Sequence, residues 1–238
     1  ADDPNVFHKE VRGGFNRIDN WEGTKGATSG TSGVPNHGVT DPKFQDPDKY
    51  PEYKDFDWEN GISKGDAFKI YENEFFNPTA KLFSNQADAG NLTRLADWAW
   101  NTGRDPVDVI LHAFDPKLRT VDQINGPGKA DVDLFNQNIG DINAMMANPG
   151  FGDVIDLAKH RIGEDWSIKH DANRKKKGLP PQNIYPNTMK GRIDMHKEKA
   201  AEGSEPAEAA TEAEKKPVKV PAATKSQWKK KGWSDSCL

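Results

Sequence analysis

Six histidines, at positions 8, 37, 112, 160, 170 and 196, and one cysteine, Cys237, are the residues on which metal or nucleophilic chemistry would have to rest. No two of the histidines stand four apart, and a lone cysteine admits neither a CxxC metal pair nor an internal disulfide. There is no GxSxG elbow, and Cys237 lies in a tail. Gly30-Thr31-Ser32-Gly33 and Gly126-Pro127-Gly128 lack the Gly-Lys-Ser/Thr ending that a phosphate loop needs before its helix. The carboxylate pairs Asp131/Asp133 and Asp153/Asp156 read as helix caps and solvated faces. The expectation is a protein that is not an enzyme.

What remains is binding chemistry. His112 lies among Ile110, Leu111 and Phe114. A neutral imidazole in such surroundings either ligates the magnesium of a chlorophyll, directly or through water, or is satisfied by a backbone carbonyl. Trp98 and Trp100 flank Ala99, and on a helix two rings two residues apart point to different faces. One is expected in the core, and the other is a candidate contact for a ligand or partner. Two basic motifs follow, Arg174-Lys175-Lys176-Lys177 and Trp228-Lys229-Lys230-Lys231-Gly232-Trp233. The second interleaves rings and cations as single-strand nucleic-acid binders do. The acidic remainder of the chain favours docking on an acidic protein or headgroup surface instead, and no nucleic acid is expected as a partner.

The elements that position these residues are helical. The chain has 238 residues, 34% hydrophobic and 29% charged, with mean hydropathy −0.89, so a core cannot use the whole of it. No apolar run reaches the length of a membrane span. Formal charge falls as −3 over residues 1–56, −7 over 57–160 and +6 over 161–238, within a total of −4. Residues 1–56 are rich in Gly, Pro, Ser and Thr and read as an extended N-terminal arm. Residues 57–162 carry 3.6-residue periodicity: Ala67 to Phe76, Leu92 to Ala99, Val107 to Phe114 after the Asp105-Pro106 start, and Leu118 to Ile124 after Asp115-Pro116. Val132, Phe135, Ile139, Ile142 and Met146 predict one long helix, and Val154 to Ile162 a last one. Residues 163–238 lose the pattern and read as a basic, low-complexity C-terminal arm. The start Ala1-Asp2-Asp3, with no apolar leader, is expected to be a mature end left by a signal peptidase. The predicted fold class is all-α, a compact multi-helix domain with irregular terminal arms.

Several short motifs recur in an order that resembles a known family. Lys54-Asp55-Phe56-Asp57-Trp58-Glu59-Asn60-Gly61-Ile62 is similar to the Lys-Glu-Val-Asp-Trp-Asn-Asn-Gly-Ile stretch of the peridinin–chlorophyll protein repeat, the water-soluble antenna of dinoflagellates. Gln86-Ala87-Asp88 followed by Gly90-Asn91-Leu92 resembles the stretch opening that repeat's next helix. Gly126-Pro127, then Ala130-Asp131-Val132-Asp133, Asn136, Ile139-Gly140 and Ala144, resembles its Gly-Pro turn and following helix, and Pro149, Asp153-Val154 and Asp156 continue in the same order. The resemblance covers residues 54–160, about one repeat.

The resemblance implies chlorophyll a and peridinin as cofactors, but members carry adjacent histidines where this chain reads Ala96-Asp97-Trp98-Ala99-Trp100. That ligand pair is therefore not carried over; residues 101–117 read as an insertion, and His112, with Trp98 and Trp100, is the pigment-contact candidate left. A relative that lost its ligand pair and gained arms fits a recruited structural subunit. The expected role is a luminal accessory subunit of a dinoflagellate photosystem–antenna supercomplex, photosystem I before photosystem II. It would sit peripherally on the thylakoid membrane in the chloroplast lumen, against photosystem core and antenna proteins. A pigment-binding antenna proper and a scaffold subunit of another organelle assembly are the alternatives.

Overall fold

The computed structural model describes residues 11–17, 37, 39, 42–83 and 87–202, with side chains through His196. It is mostly helical, with no strand among the described residues, so the all-α expectation holds. Among the described residues no helix is long and apolar enough to cross a membrane. The chain divides into two compact units, Ala1–Pro106 and Val107–Leu238.

In the first unit, α1 spans residues 11–17 and buries Val11 and Phe15. The stretch read as an arm thus contributes core side chains, and Phe44 and Tyr53, on short 3-10 turns at Pro42–Gln45 and Pro51–Tyr53, are buried as well. Helix α2 (Lys64–Tyr71) starts at a reciprocal capping box: Ser63 Oγ accepts from Asp66 N–H, and the Asp66 carboxylate accepts from Ser63 N–H. Its buried positions are 67, 68, 70 and 71, but then 76 and 79. That one-residue slip is made by a π-helical stretch, Glu72–Phe76, which leads into α3 (Asn77–Ala80). The slip turns Phe76 inward and leaves Phe75 half-buried. Helix α4 (Ala89–Thr102) is capped by Asp88, whose side chain accepts from Asn91 N–H, and ends at Gly103 with φ 65°, a left-handed conformation that suits glycine.

The second unit opens with α5 (Pro106–Phe114), which starts at the predicted Asp105-Pro106 signal and buries all its residues from Val107 to Phe114. Two expectations are corrected here. No helix starts at Asp115-Pro116: the chain turns, and α6 (Val121–Ile124) begins at a Thr120/Gln123 capping box instead. The single helix expected over Val132 to Met146 is two, α7 (Val132–Gln137) and α8 (Ile139–Met146). Asn138 breaks it at φ −109°, ψ 8°, and its amide donates to the Leu134 carbonyl at 2.8 Å, offering the backbone an alternative to helix. Val132 ends up 48% exposed rather than in the core.

Helix α9 (Gly152–Lys176) runs 25 residues, through the boundary expected at 162/163. Its first turns bury Val154, Ile155, Ala158 and Ile162. It stops in a Schellman motif: Gly178 at φ 71°, Gly178 N–H to the Lys175 carbonyl and Leu179 N–H to the Arg174 carbonyl. The chain then returns along α9 through a π-helical turn, Tyr185–Met189, into α10 (Lys190–Glu202). Met189 and Ile193 are buried, so the helical region extends well into the stretch read as an irregular arm.

Candidate functional site

His112 lies on α5 and is 4% exposed. Its Nδ1 stands 2.7 Å from the Arg119 carbonyl oxygen. A carbonyl only accepts, so Nδ1 carries the proton and Nε2 bears the lone pair. Burial lowers the pKa of the ring below its ordinary value; the carbonyl contact opposes the shift, and Arg161 adds to it. The ring is therefore neutral near pH 7. Nε2 is buried and has no hydrogen-bond partner among the described residues. The carbonyl, one of the alternatives read for this histidine, thus occupies one nitrogen and leaves the other free.

Arg119, which supplies that carbonyl, is fixed in turn. Its Nε donates to Asp108 Oδ1 at 2.8 Å and its Nη2 to the Lys129 carbonyl at 2.8 Å. Asp108 and His112 are four apart on α5 and so share a face. Asp108, Arg119 and His112 form one buried polar chain that ties the 115–120 loop to α5.

Trp98 and Trp100 divide as a helix requires. Trp98 is 2% exposed, and its indole Nε1 is buried without a partner among the described residues. Trp100 is half-buried at the hub of a ring cluster, with centroids 6.2 Å from Phe15, 5.6 Å from Tyr71 and 5.0 Å from Phe75. Phe15 also meets Phe68 at 5.3 Å, and Tyr71 meets Phe76 at 6.4 Å. Beyond Phe75 opens a groove of about 410 Å³, whose mixed lining includes Lys43, Glu74, Leu82, Arg104 and Asp105.

These observations bear on how well chlorophyll and peridinin fit. The chemistry of His112 would suit a ligand to chlorophyll magnesium: neutral, oriented by a carbonyl on one nitrogen, with a lone pair on the other. Phe68, Phe75 and Phe76, which with Phe135 and Met146 would line the pigments of an antenna, meet Phe15, Trp100 and Tyr71 edge-on or tilted. His112 is in the second unit and the tryptophans are in the first. No group of three or more His, Cys, Asp or Glu among the described residues could hold a metal ion.

Arg174 is half-buried, and its Nε donates to the Pro180 carbonyl at 2.7 Å. Lys175, Lys176 and Lys177 are exposed at the end of α9. Cations in the last turn of a helix are favoured by its dipole. Trp228, Lys229, Lys230, Lys231 and Trp233 lie outside the described residues.

One constellation had no sequence signal. His160 on α9 bridges Tyr185 and Asp194: Nδ1 is 3.0 Å from the Tyr185 hydroxyl and Nε2 is 3.1 Å from Asp194 Oδ1. The carboxylate accepts, so Nε2 carries a proton, and in the neutral ring Nδ1 accepts from the Tyr185 O–H. Burial raises the Tyr185 pKa and keeps that donor protonated. Lys190 closes the chain on Asp194 Oδ2 at 2.8 Å. These residues lie 25 and 34 positions apart, so no local pattern marks them. They clasp the returning segment to α9, together with Asp171, which accepts from the backbone N–H groups of Gln182 and Asn183.

No protein-family model, no curated protein and no solved structure matches the chain.

Proposed function

We propose that the chain is an accessory docking subunit of a photosystem–antenna supercomplex of a dinoflagellate, photosystem I before photosystem II, peripheral on the luminal face of the thylakoid membrane. The observation that carries the docking role is the exposed end of α9, where Lys175, Lys176 and Lys177 project with no ion pair among the described residues. Its natural counterpart is an acidic protein surface. The basic, tryptophan-flanked motif at 228–233 adds a second cationic anchor in the sequence.

The setting rests on the resemblance of residues 54–160 to the antenna repeat. The resembling motifs fall at helix starts: Asp88 caps α4, Asp131 caps α7, and Asp153 lies in the first turn of α9. Capping explains why those residue types recur there whatever the function, so the resemblance supports the location and α9 supports the role.

The experiment is a density-gradient separation of mildly solubilised thylakoids, with the protein traced and each band's absorption recorded. Migration with a photosystem band is the expected result. Migration with respiratory or ribosomal subunits would replace the setting and keep the scaffold role. A free colourless fraction would overturn the proposal.

His112 favours a second reading, a pigment-associated subunit in which Nε2 holds chlorophyll magnesium. Chlorophyll and peridinin in the purified protein, with chlorophyll lost in His112→Leu, are its expected signature. A wild-type protein without visible absorption removes it.

A further inference from the structure

Large hydrophobic side chains exposed among the described residues are Val132, Leu157, Ile168 and Leu179. Three of the four belong to α9 and its cap, at intervals of eleven residues. Eleven residues make three turns of an α-helix to within about 20°, so Leu157 and Ile168 lie on one line; Leu179 follows in the Schellman cap, where its N–H donates to the Arg174 carbonyl. Arg161, Glu164, Ala172 and Lys175 fill the same line, and all are exposed. From Leu157 to Lys175 it runs about 27 Å.

The flanks of this ridge are occupied. On one side Asp165 and Lys169 pair with each other, Asp165 accepts from Asn125, and Lys169 reaches Asp122. On the other side Ser167 and Asp171 accept from the returning segment, and His160 is bound to it. The ridge between them is exposed, with no such bond among the described residues. Ile168, 64% exposed, stands at its middle. Arg161 lies toward one end and Lys175, Lys176 and Lys177 at the other, none in an ion pair among the described residues. Glu164 is the only acid on the line.

We infer that this ridge is a docking face for an acidic amphipathic helix of a partner protein, laid lengthwise along α9. An eleven-residue spacing of the aliphatic anchors Leu157 and Ile168 suits a helical partner that follows α9 with a slight right-handed winding. The unpaired cations at both ends call for carboxylates flanking the partner's apolar stripe. A second copy of the chain would set one cationic ridge on another. A membrane surface would meet a ridge one aliphatic residue wide, interrupted by Glu164, rather than a broad apolar face.

The inference rests on the docking role proposed above and is separable from its setting. The test uses the full chain with the photo-cross-linking residue p-benzoylphenylalanine in place of Ile168, and a control with it in place of exposed Asp141 on α8. Both are irradiated in a gently solubilised membrane extract of the source cells, and the cross-linked peptides are sequenced. The expected result is a protein cross-link specific to position 168, in a segment with aliphatic residues at helical spacing and flanking Asp or Glu. Its yield falls about fivefold or more in the Lys175→Glu/Lys176→Glu background, the size expected for exposed charge pairs acting together. Cross-links only to lipid, only to a second copy, or to nothing, or a yield that ignores the charge reversal, overturn the inference. A cross-linked acidic helix from outside the photosystems would keep this inference and remove the photosystem setting. Co-migration with a photosystem without the cross-link would do the reverse.

Discussion

The Arg119 carbonyl holds the imidazole of His112 at 2.7 Å through Nδ1, and so leaves the lone pair of Nε2 facing the protein interior. The neutral ring is part of the folded state: burial, aided by Arg161, lowers its pKa. Between the ordinary histidine value of 6.5 and the lowered folded value, the unfolded chain binds a proton that the folded chain refuses. The contribution of His112 to stability is complete above pH 6.5 and is lost as pH falls from there through the folded pKa.

Urea unfolding of wild type and His112→Phe at pH 7.5 and pH 5.5 isolates this effect. The variant should lose less stability than wild type on acidification, because the other histidines are common to both. Equal losses would mean that His112 does not refuse the proton.

Arg119 and Asp108 bury a 2.8 Å ion pair on the same polar chain. Arg119→Met leaves the Asp108 carboxylate buried without that cation and should destabilise the protein by about 3 kcal/mol. The double variant Asp108→Leu/Arg119→Met should recover at least half of the loss, since apolar pairs of similar size often match buried ion pairs. Thermal and urea melts of the three proteins measure it. No recovery in the double variant would show that the pair positions the 115–120 loop as well as neutralising charge.

How much of this was legible in the sequence depended on range. Local signals read correctly: Asp105-Pro106 opens α5, and every apolar residue predicted there is buried. Asn138 misled because the apolar spacing from Val132 to Met146 keeps its period while one side-chain amide breaks the backbone. The far half of α9 was invisible because its apolar pattern faces no core. It stands on an Asp165–Lys169 pair, a glycine cap and contacts with residues 180–185. The slip at Glu72–Phe76 shifts the buried face by one residue, which periodicity from Ala67 to Phe76 averages over. His112 was found because an imidazole in an aliphatic run is conspicuous. The carbonyl that orients it is seven residues on, in a loop no pattern predicts.

Trp98 separates ring packing from hydrogen bonding. Its ring is 2% exposed and its N–H has no partner among the described residues. Trp98→Ala should cost about 3–5 kcal/mol through lost burial and the cavity left behind. Trp98→Phe keeps much of the volume and removes an unsatisfied donor, whose burial costs about 1–3 kcal/mol. It should therefore cost well under half as much as the alanine variant. Comparable losses in denaturant melts would mean that the indole N–H has an acceptor after all.

The clasp on α9 predicts a local, not a global, weakness. A Cβ at Gly163 would come 3.1 Å from Met189 Cε and 3.3 Å from Tyr185 Cδ2, so the returning segment packs closely against this glycine and a large side chain there would displace it. Gly163→Leu should push the Tyr185–Met189 turn away, and His160→Ala should remove its polar anchor from the other side. In both variants the bonds that tie the end of α6 to α9 remain, Asn125 donating to the Ile162 carbonyl and to Asp165. Limited proteolysis should then cut residues 177–184 faster than in wild type, while the fragment ending near Lys177 survives. If cleavage instead spreads through α5 and α6 at the same rate, the returning segment is part of the cooperative core and the clasp holds more than its own end of the chain.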